Sequence, residues 1–203
     1  MNPTKDRSNM SEIVVQVQGS KKEPFPCSTL FGRGVKASVE TGVSIRELLC
    51  GQLGIDEAYL EGRIQTIFLN GRPVDDVGTA QVDDGDVLSL SAAMPGLMGA
   101  TLRRGGALAA MRGSISYADS QEKAGSAKGI VTIKLFNMVA RELGPGFLRR
   151  GVIVTGRDLA ALLKAAEKDL KTLTRDGAPA SMAQLSDLFD SDREVFLQVE
   201  NSS

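Results

Sequence analysis

The stretch Ile67-Phe68-Leu69-Asn70-Gly71-Arg72-Pro73-Val74 predicts a β-strand that turns back on itself. Asn and Gly tolerate positive φ angles, so Asn70-Gly71 favours the two-residue turn of a hairpin. A second turn, Asp83-Asp84-Gly85-Asp86, leads into the apolar and β-branched strand Val87 to Leu90. The sequence therefore predicts a hairpin followed by one more strand of the same sheet.

Two strands and one helix are predicted upstream of this hairpin. The residues from Ile13 to Val17 and from Val35 to Glu40 have strand patterns. Ser44 and Glu47 have the spacing of a capping box, and the apolar residues that follow keep helical spacing until Gly54. The order β-β-α-β-β predicts a β-grasp sheet that covers one helix, within the fold class α+β.

These turn motifs resemble the second half of the ThiS/MoaD family of ubiquitin-like sulfur carriers. In that family, a strand ending in Val-Asn-Gly leads through a loop to Asp-Gly-Asp and the last strand. The resemblance covers residues 12–98. It implies a tail that follows the last strand and ends in Gly-Gly, whose carboxylate a partner enzyme adenylates and converts to a thiocarboxylate. The resemblance brings Gly96 to the first of these glycines, while Leu97 stands at the second and the chain continues.

A second candidate for a carrier tail is Leu102-Arg103-Arg104-Gly105-Gly106, which resembles the Leu-Arg-Gly-Gly end of ubiquitin. Proteolysis after Gly106 would expose a diglycine carboxylate. The alternative interpretation is a glycine pair between two apolar stretches. The carrier-tail candidates are therefore Gly96, Gly105 and Gly106.

The second half of the chain is predicted to repeat the first. The alternative is a chance similarity between two small α+β patterns. The helix of the second half is predicted from the spacing of Leu159, Leu162, Leu163, Ala166, Leu170 and Leu173. The matched landmarks are Val131–Leu135 with the opening strand, Phe147–Val152 with Leu30–Val35, Leu162-Leu163 with Leu48-Leu49, Asp176–Pro179 with Asn70–Pro73, and Asp190–Val199 with Asp83–Leu90. We therefore predict two β-grasp units that are joined by a Gly/Ala/Met-rich connector. Residues 12–98 are predicted to form a ThiS/MoaD-like β-grasp domain, and residues 129–203 a second β-grasp-like domain. Residues 99–128 are predicted to form the connector and a polar linker.

The composition argues against catalysis and against nucleic-acid binding. The 203 residues contain no histidine, which removes Ser-His-Asp triads, Cys-His dyads and His-ligated metals. The charge of −1 offers no basic excess for phosphates, and seven Phe and two Tyr without Trp are few for base stacking. Cys27 and Cys50 cannot form a Cys-rich metal site and are interpreted as inert thiols. We therefore predict no catalytic residue, no metal and no cofactor.

The expected location is the cytoplasm. Residues 1–11 include charges and lack the apolar run of a secretory signal. The uncharged stretch from Val87 to Leu102 is shorter than the about 18 residues that a membrane span requires. No membrane span is predicted.

The candidate partner-binding site is the connector that follows Leu90. The piece between the two units, from Val87 in the last strand to Ser116 in the connector, includes Met, Arg and many small side chains but no Asp or Glu. Met adapts to irregular surfaces and Arg anchors interfaces, so this composition is typical of a protein contact. Packing of the connector on the protein's own sheet is the alternative. The predicted partner-binding residues are Met94, Pro95, Leu97, Met98, Arg103 and Arg104.

The sequence therefore predicts a non-enzymatic protein-interaction module, whose edge strands also suit strand addition. The resemblance implies a protein partner, such as an adenylating or cofactor-biosynthesis enzyme of thiamine or molybdopterin synthesis. A carrier precursor cut to a C-terminal diglycine is one alternative. An assembly protein similar to those of phage tails, which would form oligomers, is another.

Overall fold

The structure is a computed structural model that describes residues 14–19, 27–108 and 127–201. Most of the predicted connector and linker, residues 109–126, lies outside the described residues. The strands are β1 (Val14–Gly19), β2 (Val35–Thr41), β3 (Val43–Ser44), β4 (Thr66–Leu69), β5 (Arg72–Pro73), β6 (Gln81–Val82), β7 (Val87–Ser91), β8 (Ala127–Leu135), β9 (Val152–Thr155), β10 (Leu170–Arg175), β11 (Ala178–Pro179) and β12 (Glu194–Asn201).

Helices accompany these strands, so the α+β class is confirmed. A π-helix spans Glu47–Gln52, and 3₁₀ turns span Glu167–Asp169 and Met182–Leu185. The α-helices are α1 (Cys27–Arg33), α2 (Glu57–Gly62), α3 (Gly96–Leu102), α4 (Asn137–Arg150), α5 (Gly156–Ala165) and α6 (Ser186–Phe189).

Ten of the strands in the described residues form one mixed sheet, in the order β11-β10-β1-β12-β9-β2-β8-β7-β4-β5. We call β2, β8, β7, β4 and β5 the first half-sheet, and β9, β12, β1, β10 and β11 the second half-sheet. The halves meet where β2 and β9 pair at Lys36 and Ile153. The short strands β3 and β6 form a separate ribbon.

The two outer hairpins of the sheet have the same backbone geometry. Leu69 pairs with Arg72 in one, and Arg175 pairs with Ala178 in the other. Asn70 and Gly71 have φ angles of 51° and 78°, and the Asp-Gly pair at 176–177 has angles of 52° and 80°. The predicted Asn70-Gly71 turn and its correspondence with the second turn are confirmed.

A second predicted correspondence, between Leu30–Val35 and Phe147–Val152, is also confirmed. Each segment ends a helix and begins a strand. Gly34 and Gly151 at the junctions have φ angles of 112° and 93°, which a residue with a Cβ rarely adopts. Glycine at these points lets the chain turn sharply from the helix into the sheet.

The first strand of the chain belongs to the second half-sheet. β1 runs parallel to β12 and antiparallel to β10, whereas β8 runs parallel to β7. In the pairing pattern β1 is therefore equivalent to β7, and β12 to β8. The predicted matches of Val131–Leu135 with the opening strand, and of Val195–Val199 with Val87–Leu90, are wrong because these strands occupy different positions. Strand pairing crosses the boundary predicted between 12–98 and 129–203, so these ranges do not form two separate sheets.

Two local predictions also differ from the structure. The helix predicted to continue through Leu173 ends at Ala165, and Leu170 and Leu173 lie in β10. Leu173 is buried there, and the β-branched Thr172 and Thr174 beside it favour a strand. Cys27 begins α1. The predicted helix after Ser44 forms as a π-helix over its later part, and Ser44 Oγ accepts a hydrogen bond from Glu47 N at 3.1 Å.

The main core lies between the helices and one face of the sheet. Along β2 buried and exposed residues alternate, which is typical of a sheet with one face packed and one face in solvent. The rings of Phe31 and Phe147 meet edge to face, with centroids 5.8 Å apart, where α1 crosses α4. A Cβ on Gly144 would lie 2.8 Å from Cys27 Cβ, so glycine allows this close crossing.

Candidate functional site

The carboxyl ends of the parallel strands β7 and β8 lie side by side. Leu90 pairs with Leu135, and Phe136 N donates a hydrogen bond to Leu90 O at 3.0 Å. β7 then continues into the connector, and β8 continues into α4. Two chain segments that are distant in sequence therefore leave the sheet at the same point.

Asn137 joins these two exits. Its Nδ2 donates to Ser91 Oγ at 2.8 Å, and its Oδ1 accepts from Ala92 N at 3.2 Å. The residue has a φ of 46°, a left-handed conformation that Asn tolerates better than most side chains. The amide side chain therefore fixes the start of α4 against the start of the connector.

The exposed large hydrophobic side chains of the described residues belong to these two exits. Leu97 and Met98 on α3 are 71% and 72% exposed, and Phe136 and Met138 are 41% and 43% exposed. α3 begins four residues after Ala92, a separation that an extended chain spans in at most about 14 Å. We call Leu97, Met98, Phe136 and Met138 the strand-exit surface.

Sequence reasoning found only half of this surface. Leu97 and Met98 were predicted to bind a partner, whereas Phe136 and Met138 were missed. The signal for the missed pair is Phe136-Asn137-Met138 directly after a strand, where an exposed turn would be expected to carry polar residues.

The connector packs on itself at the start of α3. Gly99 is buried, and a Cβ at that position would lie 2.0 Å from Met94 O. Met94 is half-buried, whereas the predicted site residues Pro95 and Gly96 are exposed. Of the predicted residues in this segment, Leu97 and Met98 therefore offer the large apolar contact area.

Arg104, predicted to bind a partner, contacts its own chain. Its side chain is only 9% exposed, and Nη2 donates to Leu60 O at 3.2 Å and to Glu61 Oε2 at 2.8 Å. Arg104 N donates to Gln65 O at 2.8 Å. The structure therefore corrects its predicted role: Arg104 anchors the connector to α2 and to the start of β4, because its guanidinium is used within the chain.

Glu61 is the carboxylate partner of two arginines. A hydrogen bond from Arg46 lowers the pKa of Glu61 below its usual value, and the charge of Arg104 acts in the same direction. Arg46 also forms an ion pair with Glu57. The end of the connector is thus tied to a charged network on α2.

The diglycine candidates lie in the turn that follows Arg104. Gly105 is exposed with a φ of 61°, and its N donates to Asp75 Oδ1 at 3.2 Å. Gly106 is half-buried, and its N donates to Arg103 O at 3.2 Å. Arg103 is exposed. Gly96 is the first residue of α3, whereas Gly105 and Gly106 follow the last residue of that helix. The three carrier-tail candidates are therefore not all adjacent along the chain.

A polar cluster joins α2 to α4 behind Met138. Glu142 accepts hydrogen bonds from Tyr59 Oη at 2.6 Å and from Arg63 Nε at 3.0 Å. The bonds from Arg63, followed by the one from Tyr59, lower the pKa of Glu142 to about 2. Burial is the largest cause of the raised pKa of Tyr59. Glu142 is therefore ionised and already paired.

The remaining chemistry-bearing features are modest. Burial raises the pKa of Cys27 to about 11 and also raises that of Cys50. A cavity of about 90 Å³ lies between α1 and α5, with the Arg33–Asp158 ion pair on its lining.

Across 14–19, 27–108 and 127–201, His, Cys, Asp and Glu form no cluster that could hold a metal ion. In the same residues, no helix has the length and hydrophobicity to cross a membrane.

No protein-family description, no curated protein and no solved structure matches this chain.

Proposed function

We propose that this protein is a non-enzymatic interaction module that binds a partner protein through the strand-exit surface. The observation that carries the proposal is that four exposed large hydrophobic side chains belong to the two chain segments that leave the sheet at the ends of β7 and β8. Contiguous exposed apolar area on a folded protein typically marks an interaction site. Met and aromatic side chains are also enriched at the centres of protein interfaces.

The second half-sheet provides an internal comparison for this surface. Val87 pairs with Thr132 in the first half, and Val14 pairs with Phe196 in the second. Counting four residues onward, Phe136 corresponds to Glu200, so the second half-sheet has a charged residue, still within β12, where the first half-sheet has a phenyl ring. The strand pairing itself therefore does not require an apolar side chain at this position. The presence of Phe136 there supports a role of this side chain in binding.

The order of strands favours a β-grasp interpretation of each half-sheet. Each half has a central parallel pair, an antiparallel strand on one side and a hairpin on the other. A helical segment links the first antiparallel strand to the hairpin in both halves. We propose two β-grasp units that exchange strands, in place of two units that follow one another along the chain.

The same interpretation suggests the kind of partner. β7 would be the last strand of a β-grasp unit, and the connector leaves it where the tail of a ThiS/MoaD-like carrier would begin. The proposed partner is therefore an adenylating or cofactor-biosynthesis enzyme that binds this exit. Strand addition at the sheet edges is disfavoured, because both outer strands have two residues and include Pro73 or Pro179, which lack an N–H donor.

The test compares partner capture with stability. Tagged full-length protein and a Leu97→Ser/Met98→Ser variant would be exposed to lysate of the source cells, and bound proteins would be identified by mass spectrometry. Ala100→Ser, an exposed change on the same helix, is the matched control. We expect the double variant to lose a partner that the wild type and the control retain, with unchanged melting temperature. Retention of every partner by the double variant would contradict the proposal.

A further inference from the structure

The strand-exit surface is flanked by positive charge, and we infer that it binds a peptide segment with apolar side chains next to Asp or Glu. This inference rests on the proposed function and names the chemistry of the partner. Its evidence is the distribution of charge around the four apolar side chains, which the function proposal did not use.

The two chain stretches that build the surface contain no carboxylate side chain. Residues 87–108 and 127–141 include Arg and Lys but neither Asp nor Glu. The nearest acid beyond them on α4 is Glu142, whose charge is paired with Arg63. Because Lys134 and Arg141 flank Phe136 and Met138 and their own chain stretch contains no acid, a partner with carboxylates is electrostatically complementary there.

Cations lie on either side of the apolar residues of β8 and α4. Lys134 and Phe136 are two residues apart in extended backbone and point to the same face of the sheet. Met138 and Arg141 are three residues apart on α4, which makes them neighbours on the helix surface, and both are exposed. Along the sequence, Lys134 therefore precedes the two apolar side chains of Phe136 and Met138, and Arg141 follows them.

The second half-sheet again supplies a contrast. The position equivalent to Phe136 is Glu200, and β12 begins at Glu194. Glu194 Oε1 accepts a 2.5 Å hydrogen bond from Lys36 Nζ. The equivalent strand of the second half therefore presents acids, so the positive charge at the first exit is a property of that exit.

A protein segment fits this site better than a membrane surface. Anionic lipids also attract cations that accompany apolar side chains. However, α3 has seven residues and the other apolar pair lies at a strand–helix junction. Neither α3 nor the junction of Phe136 to Met138 is the long amphipathic helix that lies flat in a lipid interface.

The experiment selects binders without assuming a sequence. Immobilised full-length protein would be used to select peptides from a random phage-displayed library. Selected peptides would then be measured by fluorescence anisotropy against four proteins: wild type, Lys134→Glu/Arg141→Glu, Leu97→Ser/Met98→Ser and the control Lys171→Glu. Lys171 is exposed on β10, far from this exit in the strand order, and provides the same change of charge per residue. Melting temperatures would verify that each variant is folded.

We expect the selected peptides to combine large apolar residues with Asp or Glu. Their Kd should rise at least about tenfold for Lys134→Glu/Arg141→Glu and for Leu97→Ser/Met98→Ser, and remain unchanged for Lys171→Glu. Raising the salt concentration should weaken binding to the wild type, because Arg141 is exposed and Lys134 is partly exposed.

Other outcomes overturn the inference in distinguishable ways. Peptides without acids that bind Lys134→Glu/Arg141→Glu as tightly as wild type would overturn the charge inference and leave the proposed function standing. Peptides that bind Leu97→Ser/Met98→Ser as tightly as wild type would overturn both. A library that yields no binder, or charge-dependent binding to phosphatidylserine vesicles alone, would overturn the peptide inference, while partner capture would still decide the proposed function.

Discussion

Asn70 and Asp176 make the same hydrogen bond in the two halves of the sheet. Asn70 Oδ1 accepts from Val87 N at 2.9 Å, and Asp176 Oδ1 accepts from Val14 N at 3.0 Å. Both side chains belong to residues with positive φ at a hairpin turn, and both cap the start of the neighbouring strand. β1 and β7 therefore occupy equivalent positions although one begins the described chain and the other lies near its middle.

The first prediction concerns the contribution of β1 to the second half-sheet. Val17 is buried and pairs with Leu173 and Val199, so Val17→Asp should lower the free energy of unfolding by several kcal/mol, because it buries an unpaired charge. Urea denaturation followed by circular dichroism would measure the change. Gln18→Thr, an exposed and uncharged change on the same strand, should stay close to wild type. Equal stability of the two variants would contradict the assignment of β1 to this position.

The second prediction concerns the hairpin turn. Asn70→Ala should cost about 1–2 kcal/mol, because it loses the bond to Val87 N and the 2.7 Å bond from Nδ2 to Asp86 Oδ1, and because Ala is strained at a φ of 51°. Asn70→Asp should also lose stability, because it keeps the acceptor for Val87 N but places a carboxylate against that of Asp86. The exposed Arg72→Ala is the control, and chemical denaturation is the measurement. A loss as large for Arg72→Ala would argue against a specific turn effect.

The third prediction separates anchoring from partner binding in the connector. Arg104→Ala should lower the free energy of unfolding by about 1–3 kcal/mol. The change removes the side-chain donor to Leu60 O and one of the two arginines that pair with Glu61. Arg103→Ala should have a smaller effect, since its side chain is exposed. Differential scanning calorimetry would compare them. An unchanged melting temperature for Arg104→Ala together with lost partner capture would restore the role that the sequence suggested.

The fourth prediction concerns pH. Arg63 and Tyr59 hold the pKa of Glu142 at about 2 in the folded protein, below the 4.5 expected of an ordinary Glu. A depressed folded-state pKa contributes stability above the unfolded-state value, and this contribution is lost as the pH falls from about 4.5 to about 2. Glu142→Gln should therefore destabilise the protein at pH 7 and have a decreasing effect toward pH 2. Urea titrations at several pH values would test this, and a difference independent of pH would contradict it.

The fifth prediction concerns the carrier alternative. Because Arg104 and Gly105 are held by hydrogen bonds to α2 and Asp75, we expect the chain to remain uncut after Gly106. Intact-mass measurement on protein from its natural source would detect cleavage. A species that ends at Gly106, with or without sulfur in place of one carboxylate oxygen, would contradict the interaction-module proposal and support the carrier alternative.

Local signals in the sequence predicted the parts of the fold that depend on neighbouring residues. Asn70-Gly71 determines backbone geometry within a few residues, and the structure has the expected turn there. The partners of β1 depend on contacts with residues more than 150 positions away, which no local pattern encodes. Leu170 and Leu173 fit both helical spacing and a strand, so periodicity alone could not assign them.

The sequence likewise predicted some residues of the candidate site and not others. Leu97 and Met98 stood out because the connector is unusual in composition, and both are exposed. The anchoring of Arg104 depends on the fold of residues 60–65, and the exposure of Phe136 depends on where two strands end. The sequence shows neither feature, because each depends on contacts between segments that are distant along the chain.

The assignment of β1 to the far half of the sheet also has a consequence for synthesis of the chain. Val14–Gly19 is synthesised well before its parallel neighbour Glu194–Asn201, because more than 150 residues separate the two strands along the chain. Until then this apolar strand has an unpaired edge that other nascent chains could contact. Efficient folding in the cell would therefore depend on protecting β1 until Glu194–Asn201 has been synthesised.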